Sequence, residues 1–189
     1  MKIVKPSFEI WEQSAGLEGV YKQIEKVGRV CYKSEDKITE DSAKPFVDRM
    51  IKSGHGAMLE HGTVYLHIDS PTKYMLSKGD YTNNPYSKDI GVDYNNYITT
   101  NMRVLVENGW LDDLKYICEP TEFHEKRITV HFVCDRGVSH EFVRHRVMSF
   151  AQESTRYCNY SKDKFDNQIT FVIPNWCKSL VEGSIQEYT

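Results

Sequence analysis

Between Arg136 and Tyr157 the chain concentrates residues able to hold an anionic ligand: Arg136, His140, Glu141, then Arg144-His145-Arg146, Ser149, Gln152-Glu153-Ser154-Thr155 and Arg156-Tyr157. Four arginines and no lysine fall in this stretch, against Glu141 and Glu153. A guanidinium keeps its charge when desolvated, and its planar fork pairs a phosphate through two hydrogen bonds. Gln152, Ser154 and Tyr157 add neutral partners, and a phenol also stacks. Neighbours on a helix point about 100° apart, so Arg144, His145 and Arg146 spread around a helix end and address different partners. That geometry suits a junction of two ligands, or of one ligand and a neighbouring subunit. The interleaved Phe142, Val143, Val147 and Phe150 place these charges beside a core rather than on a solvated face, where ion pairs contribute little.

Rival chemistries fit less well. His140-Glu141 followed by His145 approaches a zinc-protease pattern, but histidines five apart lie about 140° apart on a helix and cannot share a metal. No metal site is therefore expected. There is no G-x-S-x-G elbow for a serine hydrolase, and neither of the glycine-rich phosphate loops occurs. Five cysteines, at 31, 118, 134, 158 and 177, form no C-x-x-C pair. An odd count without metal spacing suits a reducing, cytoplasmic setting. The formal net charge of −3 argues against a general nucleic-acid binder. A non-catalytic nucleotide- or nucleic-acid-binding module built on Arg136–Arg156, with Tyr157 and Tyr160 for stacking, remains the reading from another class. No apolar run reaches the roughly 18 residues a membrane span requires, and Met1–Ile10 lacks the apolar core of a secretory signal.

Periodicity names the elements that must position this segment. Lys2 to Trp11 reads as a strand interrupted at Pro6. Leu17, Val20, Ile24, Val27 and Cys31 form a helical stripe; so do Pro45, Phe46, Val47, Met50 and Ile51 after Ser42, with Gly54 at the C′ position. Residues 54–61 read as a short irregular stretch. Thr63–Ile68 and Arg127–Cys134 alternate as strands. Residues 70–98, rich in proline, glycine, asparagine and tyrosine, predict a long polar excursion. In it, Tyr81, Asn83, Asn84, Tyr86, Tyr94, Asn95, Asn96 and Tyr97 are expected at a surface or interface. Residues 100–118 turn helical, punctuated by Gly109. Asp135-Arg136-Gly137 predicts a turn. Ser139 then caps a helix to about Met148, with Val138 and Val143 as a hydrophobic staple. Phe165–Ile173 predicts a third strand closed by Pro174, and Lys178–Thr189 the start of a helix. Strands and helices mix without regular βαβ alternation, so the expected fold is α+β, an antiparallel-rich sheet flanked by helices, in a single domain over 1–189.

Arg144-His145-Arg146, seven residues, then Ser154 resembles the R-H-R-x7-S signature of the flavin-dependent thymidylate synthases, and the likeness extends through Ser149, Arg156 and Tyr157. Gly54-His55 followed by Glu60-His61 is similar to the family's G-H-x-x-x-x-E-H segment. The resemblance runs from about Ile3 to Pro174, with 70–124 as an insertion. It implies a homotetramer with shared sites, FAD as cofactor, and reductive methylation of dUMP to dTMP using 5,10-methylenetetrahydrofolate and NADPH. By position, Arg144, His145, Arg146 and Gln152 would contact FAD. Glu141, Phe142, Val143, Arg144, Gln152, Glu153, Ser154, Thr155 and Arg156 would surround dUMP, Ser154 as a contact rather than a covalent nucleophile. His55, Ala57 and Glu60 would approach the flavin, or folate, from another subunit. Departures are Ala57 for a usual Ser or Thr, Glu141 for Gln, Ala151 for Asn, and Gln152 for an acidic residue. The resemblance also implies further helices, more FAD contacts and a catalytic arginine beyond Thr189, so the sequence reads as a partial chain.

Overall fold

Helix α1, Gly16–Tyr32, buries Val20, Ile24 and Val27 on the stripe that the spacing marks out. It stops at Lys33, whose φ of 46° ends the helix in the left-handed region. Helix α2, Ala43–Ser53, packs against it through Phe46, Val47 and Met50 and ends at Gly54 with φ 70°. At Gly28 a Cβ would stand 2.5 Å from the Phe46 ring, so the glycine is what lets the two helices close. In this computed structural model, residues 2–145, 148–155, 158 and 170–173 are described. The chain divides into two units, one made of Glu12–Arg127 and the other of Met1–Trp11 with Ile128–Thr189.

The Glu12–Arg127 unit continues from α2 through a one-turn helix α3, Gly56–Leu59, into strand β3, Thr63–Ile68. Val64, Leu66 and Ile68 are fully buried and alternate with half-exposed residues, as period-two patterning requires. After helix α4, Pro71–Leu76, strands β4, Lys88–Val92, and β5, Asn95–Asn101, complete an antiparallel sheet in the order β3-β5-β4. The polar excursion expected over 70–98 is thus a helix and a hairpin. The connection Asp93-Tyr94 has φ of 44° and 66°. Both residues are left-handed, as a two-residue hairpin requires, but neither is the Gly that advertises such a turn. Tyr81, expected at the surface, is 0% exposed, because its hydroxyl finds an internal acceptor in Asp113 at 2.9 Å. Helix α5, Met102–Asn108, is capped by Asn101, whose side-chain oxygen accepts from the Val104 N–H at 3.1 Å. Gly109, φ 72°, ends it, and tight 3-10 turns follow over Leu111–Tyr116.

His124 ties the segment after these turns to the sheet. Its Nδ1 accepts from the Thr121 N–H at 3.0 Å, which leaves the proton on Nε2 to donate to the Leu66 carbonyl at 3.2 Å. A second proton would break the Thr121 bond. Burial, with a smaller contribution from His67, lowers its proton affinity against the opposing pull of the Leu66 carbonyl. The unfolded chain therefore takes up this proton more readily than the folded one. Stability from this group is complete above about pH 6.5, and falls as pH drops through that value toward the lower folded one. Urea midpoints at pH 7.5 and 5.5 should differ more in the wild type than in His124→Gln; equal differences would remove His124 from the acid sensitivity.

In the other unit, β1, Lys2–Val4, pairs in parallel with β7, Thr170–Val172. Strand β2, Ser7–Trp11, pairs antiparallel with β6, Thr129–Val133, stacking Trp11 on His131 at 4.6 Å and setting Phe8 opposite Phe132. Pro6 separates β1 from β2, as expected. Helix α6, Arg136–Phe142, starts three residues before the expected position. Asp135, not Ser139, is its cap: the carboxylate accepts from the Val138 N–H at 3.2 Å, and Ser139 instead donates to the Arg136 carbonyl. Asp135 directly follows the strand end, so the turn expected at 135–137 is the helix start, and the Val138–Val143 staple has no place. Residues 165–169, Pro174 and the expected C-terminal helix lie outside the described residues. The fold is α+β, and among the described residues no helix is long and apolar enough to cross a membrane.

Candidate functional site

The expected site residues fall on two segments, one in each unit. Helix α6 is anchored to β6 by Phe142, whose ring stacks on Phe132 at 5.1 Å. Arg144 and His145, just past the helix end, are both exposed. The Arg144 and His145 amides close the last turn on the Glu141 and Phe142 carbonyls. The Arg144 guanidinium donates through Nη1 to Glu141 at 3.0 Å, an exposed pair three residues apart. No other protein group among the described residues occupies it.

For α6 and Val143, the expectation that the charges sit against a core is corrected. No residue of α6 is buried, and Val143 is 41% exposed. Among the described residues, Phe142 stacks on Phe132 while Glu141 and Arg144 stand exposed. Residues 152–154 return alongside the helix, half-buried. Gln152 donates its amide to Ser139 Oγ at 2.6 Å, Thr155 Oγ1 lies 3.5 Å from Arg136, and the Ser154 carbonyl accepts from the Cys158 amide. The structure thus brings Ser139, Glu141, Arg144, Gln152 and Thr155 onto or beside one short helix. Arg146, Val147, Arg156, Tyr157 and Tyr160 lie outside the described residues.

The second segment is built around α3. Met58 and Leu59 point into the core, while His55, Ala57 and Glu60 stand at or near the surface. His55 Nδ1 meets the Tyr32 hydroxyl at 2.8 Å, joining the segment to the end of α1. Glu60 is reached by Arg103 of α5, which also donates from Nε to Glu107 at 2.6 Å. Tyr32, Arg103 and Glu107 were not legible as neighbours of the segment. The four-residue spacing of Arg103 and Glu107 announces only a helical ion pair. What carries Arg103 to Glu60 is strand pairing: Thr63 opposes Asn101, and the Met102 amide donates to the Gly62 carbonyl at 2.9 Å.

A cavity of about 80 Å³ opens elsewhere in the same unit, among Gln13, Tyr65, Cys118 and Glu119, and none of the expected site residues lines it. Burial, with Glu119 beside it, pushes the Cys118 thiol up to about 11, which disfavours the reactive thiolate at neutral pH.

The family model described as thymidylate synthase complementing protein matches residues 91–188, about half of the 189 residues. It spans α6 and the Arg144–Ser154 signature; His55, Ala57 and Glu60 precede it. No curated protein and no solved structure matches the chain. With the signature arginine at the exposed end of α6 and the family model extending across it, the chain belongs to the thymidylate synthase complementing protein family, the flavin-dependent thymidylate synthases.

Proposed function

We propose that this protein takes part in the reductive methylation of dUMP to dTMP, with FAD as cofactor, 5,10-methylenetetrahydrofolate as carbon source and NADPH as reductant. The observation that carries the reading is Arg144, matched in sequence to the family signature and held at a helix end by one exposed carboxylate. The donor set fits a phosphorylated dinucleotide and a nucleotide monophosphate. The guanidinium is charged, keeps donors without protein partners among the described residues, and its single contact is one that water already competes for. Phosphate displaces such a contact readily, because it offers a stronger, two-pronged acceptor.

What the flavin supplies when bound is hydride donation; the protein's part is binding and orientation. Arg144 would neutralise phosphate charge, with Arg146 and Arg156 on the same signature. His145 adds a donor beside it. Gln152 donates one amide N–H to Ser139, so its second N–H and its carbonyl oxygen would be the atoms offered to a nucleotide. Glu141, where the family has Gln, is an acceptor only and suits a ribose hydroxyl. Ser154 is a nucleotide contact. From another subunit, His55 and Glu60 would approach the flavin, or folate. A homotetramer with shared sites and a cytoplasmic setting complete the proposal, and the 70–124 stretch is proposed as the insertion of this subunit.

Arg144→Ala should weaken both FAD and dUMP by roughly 10- to 100-fold, the loss expected for a charge-assisted hydrogen bond of about 1.5–3 kcal/mol. Flavin fluorescence titration and calorimetry with dUMP measure this directly. An unchanged dUMP dissociation constant would take Arg144 out of the nucleotide site. Tight, salt-sensitive retention on DNA without flavin binding would replace the enzyme reading with the nucleic-acid one.

A further inference from the structure

The ribbon of β2 and β6 carries an apolar face that is open to solvent. Its register sets Phe8 opposite Phe132 and Ile10 opposite Val130, so period-two alternation puts all four side chains on one face. Ile128, one residue before β6, continues the alternation. The other face carries Ser7, Glu9, His131 and the buried Trp11. Phe8 is 70% exposed, Ile10 55%, Ile128 57% and Phe132 49%. Among the described residues, the ring that stacks on this face from outside the ribbon is Phe142 of α6, at the Phe132 end.

A two-stranded ribbon has little stability in water until its apolar face is packed on something. Aromatic side chains present about 150–250 Å² each and isoleucines somewhat less, so at these exposures the four leave roughly 400 Å² of apolar surface open. Contiguous patches of a few hundred Å² mark interaction sites. Area and charge favour a second copy of the same face. Two such patches pressed together remove roughly 800 Å² of apolar surface, the apolar share of an interface of about 1,300 Å², which is the size of a stable specific contact. None of the five side chains is charged, so the face does not repel its own copy. One patch serving on both copies is what a two-fold interface requires.

We infer that the face of Phe8, Ile10, Ile128, Val130 and Phe132 is a two-fold interface between two copies of this chain, with the ribbons stacked face to face about 10 Å apart. The inference uses neither flavin nor nucleotide and stands apart from the proposed reaction. It also bears on α6, which is anchored at the edge of this face through the Phe142–Phe132 stack. Association buries the contact that holds the helix preceding Arg144.

The test is sedimentation velocity on the full chain without ligands, across micromolar concentrations. The wild type should sediment as two or more copies. Ile10→Lys and Phe8→Glu should each halve the mass, because either change buries an unpaired charge at the contact, and the far-ultraviolet circular dichroism should be unchanged. Ile10→Cys, oxidised with diamide, should form a disulfide between the introduced thiols of two copies, identified by mass spectrometry. Ser7→Cys, on the opposite face, should not. This comparison decides the matter if the charged variants do not fold, and equal cross-linking of the two thiol variants overturns the inference. A wild-type monomer also overturns it, as does a mass that Ile10→Lys and Phe8→Glu leave unchanged: the face then packs on another part of this chain or on a different partner. Failure of the wild type to bind FAD and dUMP would count against the proposed reaction and leave this interface standing.

Discussion

Asp113→Ala is expected to lower the stability of the Glu12–Arg127 unit by about 3–5 kcal/mol. Asp113 is 0% exposed. Its carboxylate accepts from the Lys78 and Gly79 amides at 3.0–3.1 Å and from the Tyr81 hydroxyl at 2.9 Å. Alanine would strand all three donors, each at about 1–3 kcal/mol for a buried group. The neighbourhood gives little room for repair. A Cβ at Gly79 would stand 2.2 Å from the Tyr81 ring, which packs edge-on against Trp110 at 5.1 Å. Water entering to replace the carboxylate would have to part these rings. In the wild type Tyr81 is held as a neutral donor, because burial and the neighbouring carboxylate push its ionisation far above the ordinary tyrosine range. For a chain of this length the loss corresponds to a fall in Tm of about 10 °C. Asp113→Asn keeps one acceptor oxygen but turns an NH2 toward backbone N–H groups, so it should fall between wild type and alanine. A Tm for Asp113→Ala within about 2 °C of wild type would show that the 77–81 loop does not depend on this carboxylate.

The same residues explain what the sequence conveyed and what it did not. Strand β3 is legible because Val64, Leu66 and Ile68 alternate with polar neighbours on a half-buried surface. Helix α1 is legible because its apolar stripe is long, and α2 because Gly54 marks its end. The hairpin of β4 and β5 is not, since Lys88–Val92 contains a glycine and two charges, and Asp93-Tyr94 takes up the left-handed turn without the residues that usually signal it. Its stability comes from partners distant in sequence. Tyr74 and Thr82 donate to Asp89, Asn96 reaches the same carboxylate, and Ser87 meets Thr100. No local pattern encodes those contacts.

The candidate site divides along the same line. A short, dense run such as Arg144–Ser154 can be read from residue types, because its neighbours in sequence are its neighbours in space. The α3 segment shows only His55 and Glu60 in sequence, since Tyr32 is 23 residues from His55 and Arg103 is 43 from Glu60. The helix start at Arg136 was displaced because Asp135 and Ser139 are both good caps, and only the end of β6 decides between them.

Arg29→Met should be among the most damaging single changes in α1, and its rescue should be informative. Glu25 is 1% exposed and Arg29 8%. Glu25 Oε1 takes both Arg29 Nε, at 3.0 Å, and Nη2, at 2.8 Å; its other oxygen accepts from Ser42 Oγ at 2.8 Å. The guanidinium also lies over the Phe46 ring, 4.8 Å from its centroid. Methionine would fill the space over Phe46 but leave a buried carboxylate with a single hydroxyl. Breaking such a pair from one side costs about 3–5 kcal/mol, because the remaining charge has neither water nor a counter-ion. Replacing both partners removes that penalty, since two apolar side chains of similar volume are often as stable as the ion pair they replace. Glu25→Leu/Arg29→Met should therefore be more stable than Arg29→Met alone by at least about 2 kcal/mol, while Ser42 loses one acceptor and keeps the Thr39 carbonyl. Urea unfolding of the four members of this double-mutant cycle measures the coupling. If the two single losses simply add in the double variant, the contact between α1 and α2 rests on Phe46, Val47 and Met50, and the ion pair contributes only geometry.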